Sequence, residues 1–222
     1  MDTSQLRFEL SQYARRILQE RLATGAGGNI SARDGDVMLI SPSGFSLEDV
    51  KPEQYVEVSI GSGEIATAAL RPSSEVLMHL ACYRQRPDIC AVIHTHPQFT
   101  IALTSAGHDL RPMFADFIIY LGAGVPHLDY ITVTTPELAA AVERQICSAN
   151  CLILRNHGAI TVGENLKQAF WRACSVEEGA RIQFLATLVG VPRFLSEDEA
   201  DRLQSLASER YRQQLLAEMK GL

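Results

Sequence analysis

The chain has 222 residues and a formal net charge of −6, so nucleic acid and acidic membrane surfaces are poor candidates for its main partner. Hydrophobic residues make up 46% of it, as in ordinary globular proteins, and this length predicts one domain spanning 1–222 with a full core. No segment approaches the roughly 20 apolar residues of a membrane span, and the charged N-terminal segment lacks the apolar core of a secretory signal. The five cysteines form no CxxC pair, which favours reduced thiols and a cytoplasmic location.

The first half of the chain predicts a helix, a group of strands and a second helix. Apolar residues recur at helical spacing over about 4–23, before the glycine-rich segment TGAGGN. Short strand patterns, separated by turn residues, follow at 29–34, 36–42 and 55–60. Ser73 and Ser74 predict the start of a helix that ends near Pro87.

The second half alternates less regularly between the two patterns. The segment CAVIHTH predicts a buried strand, and CLILRNHGAITVG predicts two strands around a glycine turn. Helices are predicted at 97–107, 136–149, 165–190 and 196–220. Because strands and helices mix without strict alternation, the sequence predicts an antiparallel or mixed sheet covered by helices, which is an α/β fold.

Three histidines follow apolar strand patterns. His94 and His96 are two residues apart in a predicted strand, so their side chains point to the same face. Two adjacent imidazoles are half of a metal site, although a pair of ordinary hydrogen-bonded histidines would give the same pattern. His157 ends a second apolar run and supplies the third ligand. Three histidine ligands leave a fourth coordination position on the metal open, as in catalytic zinc sites. His108 and His127 fall in predicted loops, where ordinary polar roles are expected.

Glu75 is the candidate proton-transfer residue. It stands in the predicted first turn of the helix after Ser73 and Ser74, where an acidic side chain also compensates the helix dipole. Beside a metal, its carboxylate could act as a fourth ligand or as a general base that removes a proton next to a carbonyl. His79, on the same helix, is interpreted as a core residue or as a support for the site.

Three short segments are candidate binding sites for an anion such as phosphate. Glycines 25, 27 and 28 leave backbone N–H groups uncrowded just before Asn29. A second tight turn is predicted at Ser43-Gly44, and the third segment is the serine pair Ser73-Ser74 at a positive helix end. Together with the histidines, these segments predict a phosphorylated small substrate.

The set as a whole, in the order GAGGNIS, ISPSG, PSSE, VIHTH and NHG, resembles the class II aldolase/adducin family from about residue 6 to 215. That family includes L-fuculose-phosphate aldolases and L-ribulose-5-phosphate 4-epimerases. The resemblance implies a three-layer α/β/α fold with a central, mainly antiparallel sheet, and a homotetramer with active sites at subunit interfaces. It implies a divalent metal, Zn²⁺ or alternatively Mn²⁺ or Co²⁺, on His94, His96 and His157, with Glu75 as the base. It also implies phosphate contacts at Gly28, Asn29, Ser43, Gly44, Ser73 and Ser74.

Two further site residues follow from the resemblance alone. The family's aldolases place a proton-donating tyrosine after the His-x-His helix, whereas this chain has Asp116 there, as the epimerases do. A loop-capping carboxylate is the alternative role for Asp116. Tyr211 matches a tyrosine that closes the site in this family, and an ordinary residue of an amphipathic helix is the alternative for it.

The first functional hypothesis is a metal-dependent aldolase that cleaves a phosphorylated ketose, such as L-fuculose 1-phosphate, into dihydroxyacetone phosphate and an aldehyde. A decarboxylase, dehydratase or 4-epimerase of the same family would use the same metal site. A non-catalytic adducin-like module is the remaining alternative, and the three retained histidines argue against it.

Overall fold

The computed structural model describes residues 2–66 and 70–218, and within them the chain forms seven strands and eight α-helices. The strands are β1 (Asn29–Asp34), β2 (Val37–Ile40), β3 (Val56–Ser59), β4 (Ala91–Thr95), β5 (His127–Leu128), β6 (Cys151–Leu154) and β7 (Gly158–Gly163). The helices are α1 (Thr3–Gln19), α2 (Val76–Gln85), α3 (Gln98–Ser105), α4 (Ala115–Leu121), α5 (Pro136–Ile146), α6 (Leu166–Val189), α7 (Glu197–Ser205) and α8 (Ala207–Glu218).

All seven strands form one sheet in the order β3-β2-β1-β4-β7-β6-β5. Every neighbouring pair is antiparallel except β5 and β6, which are parallel. The prediction of a central, mainly antiparallel sheet is therefore confirmed. The pairing also places β4, which carries the His-x-His motif, next to β7, which follows His157.

Helices cover both faces of the sheet, because successive side chains of each buried strand point to opposite faces. On β4, Val92 packs into a core with α2 and α5, whereas Ile93 packs into a core with α1 and α6. On β6, Ile153 joins a third core, formed with α3, α4 and α6. This arrangement confirms the predicted three-layer α/β/α fold. Among the described residues, no helix is both long and apolar enough to cross a membrane.

Local signals set several helix boundaries as predicted. The Asn165 side chain accepts a hydrogen bond from the N–H of Gln168 at the start of α6, and the Ser196 hydroxyl accepts one from Glu199 at the start of α7. Pro136 stands at the first position of α5, where a backbone N–H would have no partner within the helix, so proline costs no hydrogen bond there.

Three local predictions are wrong. The single helix predicted at 196–220 is two helices, because Leu206 has an extended backbone that interrupts it; residues 219 and 220 lie outside the described residues. Asp116, predicted in a loop, lies in the first turn of α4, a short helix whose apolar side chains are buried in the third core. His127, also predicted in a loop, lies in β5, where its Nε2 accepts a hydrogen bond from the N–H of Leu110.

Candidate metal centre

Strand pairing brings the three predicted histidine ligands together. His94 lies on β4, His96 follows the end of that strand, and His157 lies in the turn between β6 and β7. Thr95 on β4 is paired with Ala159 on β7, so the two histidine segments run side by side. The prediction that His94 and His96 share a face is confirmed, because their Nε2 atoms are 2.9 Å apart.

Glu75 completes a cluster with the three histidines. Its two carboxylate oxygens lie 3.2 Å from Nε2 of His94 and 3.1 Å from Nε2 of His157. One potential ligand atom from each of the four residues lies within 4.8 Å of the others. Glu75 is the residue just before α2 rather than part of its first turn, and its side chain makes no helix-capping hydrogen bond. The carboxylate therefore serves the cluster and does not cap the helix.

The chemistry of this donor set fits a divalent cation. Nδ1 of His94 donates a hydrogen bond to the carbonyl oxygen of Ala159 at 2.9 Å, which directs Nε2 of the ring into the cluster. That nitrogen faces the Glu75 carboxylate and the Nε2 of His96. Buried acceptor atoms this close together repel each other unless a positive charge, carried by a proton or a metal ion, lies between them. Three imidazole nitrogens and a carboxylate oxygen are ligands that zinc and neighbouring divalent metals bind.

The pKa shifts of two members of the cluster, Glu75 and His96, favour their metal-binding protonation states. Burial raises the pKa of Glu75, but its contacts with His94, His157 and Asn29 outweigh burial and hold the pKa below the ordinary value. Burial, aided by the charges of His94 and His157, lowers the pKa of His96 to about 4. At neutral pH the carboxylate is therefore ionised and His96 is neutral, which are the forms that bind a metal.

The predicted phosphate segments meet beside this cluster. The N–H of Ser73 donates to the carbonyl oxygen of Ser41, and the N–H of Ser43 donates to that of Arg71, each at 3.0 Å, so the two serine segments are paired. A cleft of about 280 Å³ opens above them. Its lining includes all six predicted phosphate residues together with three members of the cluster: Gly28, Asn29, Ser43, Gly44, Ser73, Ser74, Glu75, His96 and His157.

Glycine is required where the first phosphate segment passes the cluster. A β-carbon at Gly27 would lie 2.8 Å from Nδ1 of His96, and one at Gly28 would lie 3.0 Å from the carbonyl oxygen of His94. Gly28 also has a φ of +75°, a backbone conformation that residues with a side chain rarely adopt. The glycines thus let the loop lie directly against the ligand strand, which places its backbone at the cleft.

Asp116 and Tyr211 do not line the cleft of their own chain. Asp116 accepts a hydrogen bond from Arg212 of α8 at 3.3 Å, and Tyr211 is 63% exposed on the same helix. Catalytic roles for both remain predictions.

Sequence reasoning missed other residues of the cleft. Phe45, Val133 and Thr134 line it, the last two from the loop before α5. Thr134 has a φ of 66°, a strained conformation for a β-branched residue, and such strain is common at functional sites. The segment ITVTTP resembles an ordinary extended connection, so nothing in the sequence indicates this strain.

The three-layer fold and the His₃Glu cluster beside a cleft lined by glycine and serine segments define a metal-dependent enzyme, and the comparison with known proteins gives the same class. Residues 8–184 match the family described as Class II Aldolase and Adducin N-terminal domain, so the chain belongs to the class II aldolase/adducin family. With its His₃Glu cluster, it is of the metal-dependent aldehyde-lyase type in that family.

Individual relatives cover nearly the whole chain. A 5-deoxy-D-ribulose 1-phosphate aldolase from Bacillus thuringiensis serovar kurstaki is 36% identical over 199 residues, which are 89% of this chain and 92% of the relative. A 3-oxo-tetronate 4-phosphate decarboxylase from Escherichia coli is 30% identical over 207 residues, or 90% of this chain and 95% of the relative. A solved L-fuculose 1-phosphate aldolase superposes with a TM-score of 0.85 at 31% identity, over 93% of this chain and 96% of that one.

Proposed function

We propose that the protein cleaves a ketose 1-phosphate by a retro-aldol reaction into dihydroxyacetone phosphate and an aldehyde. The observation that carries this proposal is the cleft whose lining contains the predicted phosphate segments, Glu75, and the two histidines His96 and His157. A phosphate held by Ser43, Ser73 and Ser74 would leave the carbonyl end of a short sugar beside the metal cluster. The names of two relatives, a 5-deoxy-D-ribulose 1-phosphate aldolase and an L-fuculose 1-phosphate aldolase, give the first two substrates to test.

In this reaction, different residues of the site bind the phosphate and hold the metal. Ser43 and Ser74 are exposed in the cleft, and the backbone N–H groups of the glycine segment lie nearby, so these groups bind and orient the phosphate. His94, His96 and His157, with Glu75, hold a divalent cation, which we propose to be Zn²⁺, with Mn²⁺ or Co²⁺ as alternatives. When bound, that cation supplies Lewis-acid stabilisation of the negative charge that develops at the ketone.

Glu75 moves the proton at C3. During cleavage Asp116 of a neighbouring subunit takes the proton of the C4 hydroxyl, the C3–C4 bond breaks, and the electron pair stays with the three-carbon fragment. Glu75 takes up a proton from solvent and passes it to C3, which gives dihydroxyacetone phosphate. In the reverse direction the ionised Glu75 carboxylate removes that proton, and its low pKa keeps it in the form that this removal requires.

A homotetramer with shared active sites would explain the positions of Asp116 and Tyr211. Both lie on helices of the outer layer and outside the cleft of their own chain. We propose that a neighbouring subunit brings Asp116 to the C4 hydroxyl and Tyr211 to the mouth of the cleft. The cytoplasmic location stays a prediction.

A coupled assay tests the proposed reaction. The zinc-loaded protein is incubated with 5-deoxy-D-ribulose 1-phosphate or L-fuculose 1-phosphate, and released dihydroxyacetone phosphate is followed by its reduction with NADH. Turnover that disappears with the unphosphorylated sugars supports the proposal. Absence of dihydroxyacetone phosphate from every ketose 1-phosphate in the panel contradicts it.

Decarboxylation is the second candidate, because one relative at 30% identity is a 3-oxo-tetronate 4-phosphate decarboxylase. Loss of CO₂ from a 3-oxo acid also leaves an electron pair on carbon next to a ketone, so the same residues serve it. The two reactions differ in their second product, because retro-aldol cleavage releases an aldehyde and decarboxylation releases CO₂. Release of CO₂ from a 3-oxo-tetronate 4-phosphate, without cleavage of ketose phosphates, would favour the decarboxylase.

A further inference from the structure

A row of hydrogen bonds runs from Glu75 into the protein core. The amide Nδ2 of Asn29 donates to Oε2 of Glu75 at 2.9 Å, and Oδ1 of Asn29 lies 2.5 Å from Nε2 of His79. On the other side of the ring, Nδ1 of His79 lies 2.7 Å from the hydroxyl of Ser31, which lies 2.9 Å from the hydroxyl of Tyr83. All five residues are buried.

The row forms because a helix and a strand match in spacing. Glu75, which immediately precedes α2, and His79 and Tyr83 on α2 are spaced four residues apart, which is a rise of roughly 6 Å for each step of a helix. Asn29 and Ser31 are two residues apart on β1, which is also roughly 6–7 Å. The side chains therefore interleave, one from the strand between each pair from the helix.

The carboxylate of Glu75 sets the direction of every hydrogen bond in the row. An ionised carboxylate only accepts, so Asn29 presents its N–H₂ to Glu75 and its oxygen to His79. His79 must then carry its proton on Nε2 and accept at Nδ1 from Ser31, which in turn accepts from Tyr83. Burial, aided by the charge of His94, lowers the pKa of His79 to about 3, so the ring is neutral and has this single tautomer.

We propose that His79 is a positioning residue for the proton-transfer carboxylate. Its Nε2–H holds the side-chain amide of Asn29 in the orientation that points N–H at Glu75, while Ser31 and Tyr83 hold the tautomer of His79. The role rests on the proposed function, in which Glu75 exchanges the proton at C3. Without the donor at His79, the Asn29 amide is free to turn its oxygen toward Glu75, and the two acceptors repel each other.

Two substitutions by side chains of similar size test whether His79 acts as a hydrogen-bond donor or only fills space in the core. His79→Leu fills the space without a donor, whereas His79→Gln keeps an N–H donor near the position of Nε2. Cys82→Ala is the control, because Cys82 is fully buried on the same helix and packs in the apolar core. Each protein is loaded with Co²⁺, whose affinity and visible absorption spectrum report the ligand geometry without any substrate.

We expect His79→Leu to weaken Co²⁺ binding by about 10-fold and to change the visible spectrum, as losses of supporting hydrogen bonds behind metal ligands do. With substrate, its kcat should fall about 10–100-fold while its KM stays within about twofold of wild type. His79→Gln should recover more than half of each loss on a logarithmic scale, and Cys82→Ala should keep the wild-type spectrum.

Three results would overturn the positioning role. They are a wild-type spectrum and Co²⁺ affinity in His79→Leu, equal impairment of the Leu and Gln variants, and the same spectral change in Cys82→Ala. Failure of the proposed function gives a different result, because the wild-type protein would then turn over no substrate of the panel while the Co²⁺ measurements still tested His79.

Discussion

Gly158 lies so close to Thr95 that a β-carbon at position 158 would be 2.1 Å from the carbonyl oxygen of Thr95. This contact joins the two chain segments that carry His94, His96 and His157. Gly158→Ala should therefore force β7 away from β4 and lower the free energy of unfolding by about 1–3 kcal/mol or more. Gly61→Ala is the control, because no atom lies within 4 Å of its β-carbon. Urea unfolding measures both, and an equal, small effect in the two variants would contradict the prediction.

Removal of one ligand should remove the metal. His94→Ala leaves two of the three histidine ligands and a cavity on the buried side of the cluster, so we expect both metal content and turnover to be lost. His108→Ala is the control, because His108 is exposed and outside the cluster. Elemental analysis after dialysis measures the metal content. Full occupancy and activity in His94→Ala would show that the assignment of the ligands is wrong.

Ser74→Ala should weaken the binding of the phosphorylated substrate more than it changes metal content. A hydrogen bond to a charged group contributes roughly 1.5–3 kcal/mol, so KM should rise by about 10-fold or more. Ser62→Ala, in an exposed turn that does not line the cleft, serves as the control. Steady-state kinetics with a ketose 1-phosphate checks it, and an unchanged KM in Ser74→Ala would count against a phosphate contact there.

Glu75→Gln should lower turnover by about 10²–10⁴-fold, the usual range for loss of a general base, while the protein stays folded and metal-loaded. Glutamine keeps the size of the side chain but cannot accept the proton. Exchange of solvent deuterium into dihydroxyacetone phosphate, measured without aldehyde, isolates this step. Glu137→Gln, at an exposed position in the first turn of α5, is the matched control. Exchange at the wild-type rate in Glu75→Gln would point to another base, first of all Asp116.

His79 should make the stability of the protein depend on pH below neutrality. Its pKa is about 3 in the folded protein and 6.5 as the reference value, so between these values the unfolded chain binds one proton more. Stability therefore rises with pH across this window and falls as the pH drops below about 6.5, by roughly 1.4 kcal/mol for each pH unit.

Urea unfolding of the metal-free protein at pH 7 and pH 5 measures this effect. His79→Leu removes the titrating ring while leaving all other histidines in place, so the stability difference between the two pH values should be smaller in the variant by about 1–2 kcal/mol. The same pH dependence in both proteins would show that His79 does not bind the extra proton on unfolding.

The sequence by itself determined the parts of the site whose chemistry is local. The His-x-His spacing on a strand fixed which two imidazoles share a face, and the glycine and serine segments indicated where an anion could approach backbone N–H groups. The continuous apolar runs at β4 and β6 likewise predicted buried strands in a sheet covered by helices. Each of these inferences depends on a periodicity of one element or on the chemistry of neighbouring residues.

Only the tertiary structure decided how distant elements meet. It placed β1 between β2 and β4 and laid α2 across it, which brings Asn29 to Glu75 from 46 residues away along the chain. The spacing of Glu75, His79 and Tyr83 is visible in the sequence, but its partners Asn29 and Ser31 are not, because an interleaved row exists only at one register of helix on strand. Burial in the assembled core likewise decided the helix at Ala115–Leu121, a segment too short for its own periodicity to show that it is helical.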